Sequence, residues 1–388
     1  MKPIAVLVSA SGAPGTAALL HALRENGERD VRLVGTDMSP RSIGRHLCDA
    51  FHVVPPGSDP GFADVMLDVC RREHVDAVLP QSSFDLLGLA EARERFEAAV
   101  LVSSPGAIRR SNDKAETYAM LDAIGVKGPA WHRVRSGEAV ADAARALGYP
   151  DADVALKPIF SSGSRGFRIL SAAADRREQL LTNRPGVAEA LRLEDLLELL
   201  GDDETELLVM EVATGKERTI DGIAERGRIA LGHPKTREAM RAGLAMYFET
   251  LDDPALMEIA TGGERTIDGI GDGSRIVLGH PKTREAMRAG LAMYFETLDD
   301  PWLMEVAAKI VAELDLDHFF NIQLVGEHVI EVNPRISTIV YQEDLNLPYL
   351  GVKHALGELS AEELGAYADR VRPTRRALRY FDQVEWDE

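Results

Sequence analysis

The sequence predicts a mixed α/β and α+β protein, with a parallel-sheet domain first and a part built from antiparallel hairpins and helices after it. Two observations carry this. Over residues 1–108 short apolar runs alternate with amphipathic helical patterns, the mark of βαβ units. Beyond residue 150 the apolar runs come in pairs joined by polar turns, which is hairpin spacing. A third observation qualifies the length: residues 210–256 recur as residues 257–303, with 39 of 47 positions identical.

The elements follow in order. IAVLV (4–8) is an apolar run broken by SASGAPG, and residues 16–24 have helical period. VRLVGTD (31–37), FHVVP (51–55), DAVLP (76–80) and VLVSSP (100–105) read as further buried strands, with a helix over 62–72. A helix over 112–124 should end at Gly125, the usual left-handed stop. VALKPI (154–159) and FRIL (167–170) are strands around the Gly/Ser loop SSGSRG. Residues 171–201, rich in Leu and charge, read as helical. ELLVME (206–211) is a strand, and ERTIDGIAERGRIALG a hairpin. All four residues Ala224–Gly227 differ from Gly271–Ser274 in the second copy, and a turn is where substitution is tolerated best. Residues 303–316 form an amphipathic helix, 319–334 two strands around Gly326-Glu327, and the tail helices near 350–370 and a strand, ALRYFDQVEW. The expected units are 1–108, 109–205, 206–352 and 353–388.

Composition excludes several functions. The 388 residues carry 44 Lys+Arg against 63 Asp+Glu, a net charge of −19. That argues against a general binder of nucleic acid or anionic membrane, though a local basic site is compatible with it. Cys48 and Cys70 are the only cysteines, too few for a disulfide scaffold or a Cys-based zinc site. No run approaches the ~18 apolar residues of a membrane span, and the first apolar run breaks at Gly12, so a cytoplasmic protein is the expectation.

Four clusters could carry chemistry. Strand alternation puts Asn321 and Gln323 on one face of a hairpin, and Glu331, Asn333 and Arg335 on one face of its second strand. Such hard oxygen ligands suit Mg²⁺, with one or two carboxylates and the rest from substrate phosphates, and Arg335 can take a phosphoryl oxygen. The bland reading is a solvated edge hairpin. Lys157 ahead of Ser161, Ser162 and Gly163 can meet phosphates under a Gly/Ser flap, or be part of a plain mobile hairpin. Glu211 and Glu217 bracket a segment that could read adenine through its backbone at Val212 and ribose through Glu217, or be surface carboxylates. His233, Lys235, Arg237 and Arg241, repeated at 280–288, form a basic cluster suited to an anionic substrate, or a solvated loop.

In this order the residues resemble the ATP-grasp superfamily, in particular the branch like the carbamoyl phosphate synthase large chain, from about Ile4 to Val352. SNDK (111–114), ALKPIFSSGSRG, LLVME…GKERTID and Gln323…Glu331-Val332-Asn333-Pro334-Arg335 carry the resemblance. It implies a Rossmann-like pre-ATP-grasp domain followed by a two-lobed ATP-grasp fold. It implies Lys114 and Lys157 on ATP phosphates under Ser161, Ser162 and Gly163, Glu211 and Val212 at adenine, and Glu217 at ribose. Gln323, Glu331 and Asn333 would hold Mg²⁺, with Mn²⁺ as an alternative, and Arg335 and Arg241 would contact phosphate or substrate. The implied activity is ATP-dependent activation of a small carboxylate for attack by an amine, with a homodimer among the assemblies allowed. A full carbamoyl phosphate synthase large chain carries two such halves and works with a glutaminase; this sequence has one unit.

Two competing readings remain. The repeat offers Glu217 or Glu264, and Arg241 or Arg288, to one site, and an insertion inside the ATP lobe could leave an impaired, merely ATP-binding protein. The first copy is the better candidate, because it follows the 206–211 strand directly and keeps Lys216 where the second has Gly263. The other reading is an NAD-dependent oxidoreductase, from the first turn and Asp37, but the turn lacks G-x-G-x-x-G.

Overall fold

The computed structural model describes the chain apart from residues 161–165, 176, 178, 180, 182–189, 203, 216, 237, 241–264, 273–274, 284–291, 297, 337–344, 372–375 and 379–388; for strand residues within 236–240, 265–296 and 376–378 it describes the backbone alone. The N-terminal sheet is parallel, with order β3-β2-β1-β4-β5. Its strands are β1 (Ile4–Val8), β2 (Val31–Asp37), β3 (Ala50–Val53), β4 (Ala77–Leu79) and β5 (Ala99–Val100), connected through α1 (Thr16–Arg24), α2 (Gly44–Leu47), α3 (Phe62–Arg72) and α4 (Ser83–Glu91). Central strands covered on both faces must be apolar throughout, and all five residues of β1 are buried. Alternation then splits them: Val6 and Val8 pack with Leu19, Leu20 and Leu23 of α1, and Leu7 with Phe62 and Met66 of α3. These buried helix positions recur at three- and four-residue spacing, which is why α1 and α3 were legible as helices.

Next come α5 (Pro105–Asn112), α6 (Lys114–Ala123), β6 (Trp131–Val134), α7 (Gly137–Ala146), β7 (Val154–Pro158), β8 (Arg168–Leu170), β9 (Ala190–Leu191), α8 (Leu193–Leu200) and β10 (Leu207–Glu211). The strands form a second sheet, β6-β10-β7-β8-β9. Here two expectations are corrected. Helix begins at Pro105 and breaks at Asp113, whose carboxylate accepts from the backbone N–H of Ala115 (2.9 Å) and Glu116 (3.0 Å) and so starts a new helix. Residues 171–201 are not one helix: Ala190 and Leu191 pair as strand with Ile169 and Leu170, and a separate helix spans Leu193–Leu200.

The third sheet, β12-β11-β17-β18, is made from β11 (Glu217–Glu225), β12 (Arg228–Thr236), β17 (His318–Val325) and β18 (His328–Asn333). Helix α9 (Pro301–Leu314) lies against it through Leu303, Val306, Ala307, Ile310, Val311 and Leu314, an i, i+3, i+4 stripe. Asp300 caps α9 by accepting from Leu303 N–H at 3.3 Å. Around this sheet β13 (Glu238–Met240), β16 (Ala292–Glu296) and β19 (Arg376–Leu378) make a three-stranded sheet, and α10 (Leu347–Ala355) and α11 (Ala361–Gly365) complete the chain. Helix α10 docks on the first domain: Arg29 Nε donates to Tyr349 Oη (2.8 Å), Arg29 pairs with Glu358, and Lys353 Nζ lies 2.6 Å from Glu28.

The repeat resolves into two hairpins of the same build. β11 and β12 pair with Asp221 opposite His233 and a bulge between Ile223 and Ala224; β14 (Arg265–Asp272) and β15 (Arg275–Thr283) pair with Asp268 opposite His280 and a bulge between Ile270 and Gly271. The first copy is the one seated against β17, from Glu217–Val325 to Ala224–His318, and the second forms a two-stranded sheet of its own. Deleting residues 257–303 is therefore expected to leave a folded protein. Residues 245–249 repeat the sequence of β16 and can take its place, and shortening a connection alters closure entropy only logarithmically. A thermal midpoint within a few degrees of the full chain is the expected result, and loss of a cooperative transition would contradict it.

Candidate functional site

The site lies between the second and third sheets. Lys114 is the first residue of α6, where the Asp113 cap sets its direction, and its Nζ donates to Ile159 O at 3.4 Å. Lys157 stands on β7 opposite Leu208, and its Nζ donates to Tyr118 Oη at 2.9 Å. Both lysines are 8% exposed. Burial lowers both from the ordinary lysine range, Lys157 to about 7, with the nearby Glu331 carboxylate opposing the shift. Desolvated ammonium groups beside one carboxylate are suited to receive further negative charge. A cavity of about 20 Å³ among Ser111, Lys114, Tyr118, Glu331 and Asn333 is wide enough for one water. Ser161, Ser162 and Gly163 lie outside the described residues, as does Arg241.

The facing wall is the third sheet. Gln323 pairs with Glu331 and Asn321 with Asn333 across β17 and β18, so all four share one face. Asn321 is the hub. It donates to Thr219 Oγ1 (2.6 Å) and Asp221 Oδ1 (2.8 Å), and its oxygen accepts from Gln323 Nε2 (3.0 Å) and Asn333 Nδ2 (3.3 Å). Gln323 thus turns its amide nitrogen inward to Asn321, and its oxygen is chemically able to accept from or coordinate a ligand. Among the described residues no group of three or more His, Cys, Asp or Glu could hold a metal. One carboxylate with carboxamide oxygens is instead the donor set of a hard cation held mainly through substrate phosphates, so these residues fit Mg²⁺. Arg335 donates to Ser83 Oγ (3.0 Å), Ile336 O (3.0 Å) and Asn333 Oδ1 (3.3 Å), which joins this wall to the start of α4 in the first domain. Nearby, Asp85 accepts from Ser9 Oγ at 2.6 Å, and burial raises its carboxyl to about 6.

The hinge side is more open. Glu211 ends β10, Val212 is 36% exposed, and Glu217 begins β11 opposite Val325. Glu211 Oε1 lies 3.3 Å from His328 Nε2, so its side chain is engaged with β18, and its backbone N–H donates to Ala130 O at 2.9 Å. Gly215, at φ 119°, allows close passage over Gly326: a Cβ there would stand 2.7 Å from the Gly326 Cα.

The expected basic cluster is corrected. Lys235 is 2% exposed and its Nζ lies 2.6 Å from Asp221 Oδ2, itself buried, so the pair is internal. His233 is buried, and desolvation, helped by Lys235, holds it neutral with its pKa lowered to about 3. Arg237 lies outside the described residues. Sequence reasoning passed over Asp221, Thr219, Tyr118 and Ser83; the Asp221 signal was present, since it shares strand parity with Glu217 and Thr219.

The buried histidines set an acid limit. His233 and His318, lowered by burial to about 3 and about 4, are neutral when folded but titrate near the ordinary 6.5 when unfolded. Below pH 6.5 the unfolded state binds more protons, so stability falls as pH drops from there toward 4. Each histidine contributes about 1.4 kcal/mol per pH unit over that window. Urea midpoints at pH 7 and pH 5 test this; equal midpoints would contradict it.

With this geometry in view, the comparisons agree on the class. Residues 6–102 match the family described as PylC-like, N-terminal domain, and residues 250–374 match ATP-grasp in the biosynthetic pathway with Ter operon. A carbamoyl phosphate synthase large chain from Rubrobacter xylanophilus is 30% identical over 168 residues, 43% of this chain and 15% of that protein. A formate-dependent phosphoribosylglycinamide formyltransferase from Nitratiruptor is 26% identical over 215 residues, 55% of this chain and 52% of that one. The crystal structure of an L-amino acid ligase from Bacillus licheniformis superposes with a TM-score of 0.59 at 15% identity, covering 97% of this chain and 78% of that one. Residues 250–374 thus match an ATP-grasp family, behind a parallel α/β domain whose residues 6–102 match a PylC-like N-terminal domain, and the fold is similar to that of the L-amino acid ligase. It spans about half or less of the curated relatives named here. No helix among the described residues is long and apolar enough to cross a membrane.

Proposed function

We propose that this chain is an ATP- and Mg²⁺-dependent ligase that activates a small carboxylate as an acyl phosphate for capture by an amine. One observation supports this best. Lys114 and Lys157 from one side, and Glu331, Asn333 and Arg335 from the other, converge where a nucleotide's phosphates would lie. A substrate carboxylate oxygen attacks the γ-phosphorus and ADP leaves with the β–γ bridging oxygen. The amine then adds to the acyl carbon, phosphate departs, and the amine loses a proton, giving the amide. Lys114, Lys157 and Arg335 offset the charge that develops on the transferred phosphoryl group, by positioning and electrostatics. Bound through Gln323, Glu331 and Asn333, Mg²⁺ would supply further charge neutralisation on the phosphates, and Mn²⁺ could do the same through these oxygens. Glu211 and Val212 at adenine, Glu217 at ribose, and Ser161, Ser162 and Gly163 over the phosphates complete this reading, with Arg241 toward the substrate. The seated first copy supplies a full hairpin to the third sheet, which favours a working site over an impaired one. The test is carboxylate-dependent ADP formation over a panel of amino and hydroxy acids, with hydroxylamine to trap acyl phosphate as hydroxamate. ADP and hydroxamate are the expected products; no Mg-ATP binding and no ADP with any carboxylate would overturn the proposal.

A further inference from the structure

A single phenol ties Lys157 to the strand that carries Glu331. In the β17–β18 ladder Gln323 faces Glu331 and Leu324 faces Val329, so Ile330 is the extra residue of a bulge. A bulged residue is left out of the ladder and can serve other groups. Its carbonyl accepts from Tyr118 Oη at 2.9 Å, with Lys157 Nζ at 3.5 Å. The hydroxyl proton is spent on that carbonyl, so the hydroxyl lone pairs face Lys157, which donates to them at 2.9 Å. Tyr118 lies four residues after Lys114, on the same face of α6. It is 1% exposed, its ring centroid is 5.1 Å from Lys157 Nζ, and Trp131 supports it at 6.2 Å between centroids.

We propose that Tyr118 is a positioning residue: its hydroxyl holds the Lys157 ammonium in register with Glu331, so that the ammonium meets the nucleotide phosphates. The inference rests on reading Lys157 as a phosphate contact. A tyrosine retained for packing alone would need only its ring. Here the hydroxyl joins α6, β7 and the bulge of β18, three elements that contribute to one site, and a small shift at any of them would misplace the charge.

Tyr118→Phe keeps the ring and removes both hydroxyl bonds, leaving only the long 3.5 Å contact of Lys157 Nζ with Ile330 O. Hydrogen bonds to charged groups are worth enough that affinity for ATP and for ADP should fall about tenfold. Affinity for adenosine, which has no phosphate, should stay within about twofold, and reports that the fold is intact. In a Lys157→Met background the same change should cost nothing more, since coupled residues do not add. Equal weakening of adenosine, or a full further loss in the double variant, would overturn the proposal. Loss of ATP affinity in Lys157→Met but not in Tyr118→Phe would overturn it alone. Unchanged ATP affinity in Lys157→Met would overturn both it and the phosphate reading beneath it.

Discussion

Lys157→Met is expected to lower kcat/KM for ATP by at least about a hundredfold while leaving the thermal midpoint unchanged or raised. The two halves of this result have one cause. Lys157 is buried, and desolvation depresses its pKa to about 7 against the pull of Glu331. Its ammonium is thus destabilised in the empty site, and a methionine of similar length removes that burden. On the proposed function the same ammonium stands where the γ-phosphoryl group gains charge, in a water-poor pocket where one preorganised donor is worth roughly 2.7–4 kcal/mol. Activity and stability trading in this way is the mark of a functional site. Steady-state kinetics with varied ATP, alongside thermal unfolding without nucleotide, makes the measurement. Full activity, or a midpoint lowered by many degrees, would show that Lys157 is structural.

Lys235→Met should do the opposite: destabilise by about 3–5 kcal/mol. Lys235 and Asp221 are each about 2% exposed and 2.6 Å apart, on neighbouring strands. Removing the lysine takes the cation away from a buried carboxylate to which Asn321 donates at 2.8 Å. Asp221→Asn combined with Lys235→Met should recover part of the loss, because the buried negative charge is gone. Urea unfolding of the two variants separates these outcomes; a loss under about 1 kcal/mol for Lys235→Met alone would contradict the burial argument. Two lysines, both buried, are thus expected to act with opposite sign, because one has an internal carboxylate partner and the other is proposed to meet phosphate.

Much of this was legible before any coordinates. The helices at 16–24 and 62–72 carry one-face periodicity, and the bounds follow from it. Lys157, Gln323, Glu331, Asn333 and Arg335 stand out because polar residues at strand parity contradict a plain core. What failed did so for a physical reason. Residues 190–191 look like part of a helix, yet they pair with β8, since a strand two residues long has no periodicity of its own. Tyr118 and Asp221 carry no sequence signal strong enough to single them out. Their contacts depend on the bulge at Ile330 and on Lys235 of the neighbouring strand, which lie 212 and 14 residues along the chain.

The repeat marks the boundary most sharply. By itself the sequence determined that the chain holds two nearly identical units, each with the pattern of a hairpin about a polar turn. The sequence favoured the first copy, which follows β10 directly, and the pairing of β11 with β17 shows that this is the copy that enters the sheet. Identical segments have identical local propensities, so the choice falls to connectivity and long-range pairing. Five residues link β10 to β11, and that short tether delivers the first copy to β17. The second copy would have to cross the whole of the first to reach the same edge.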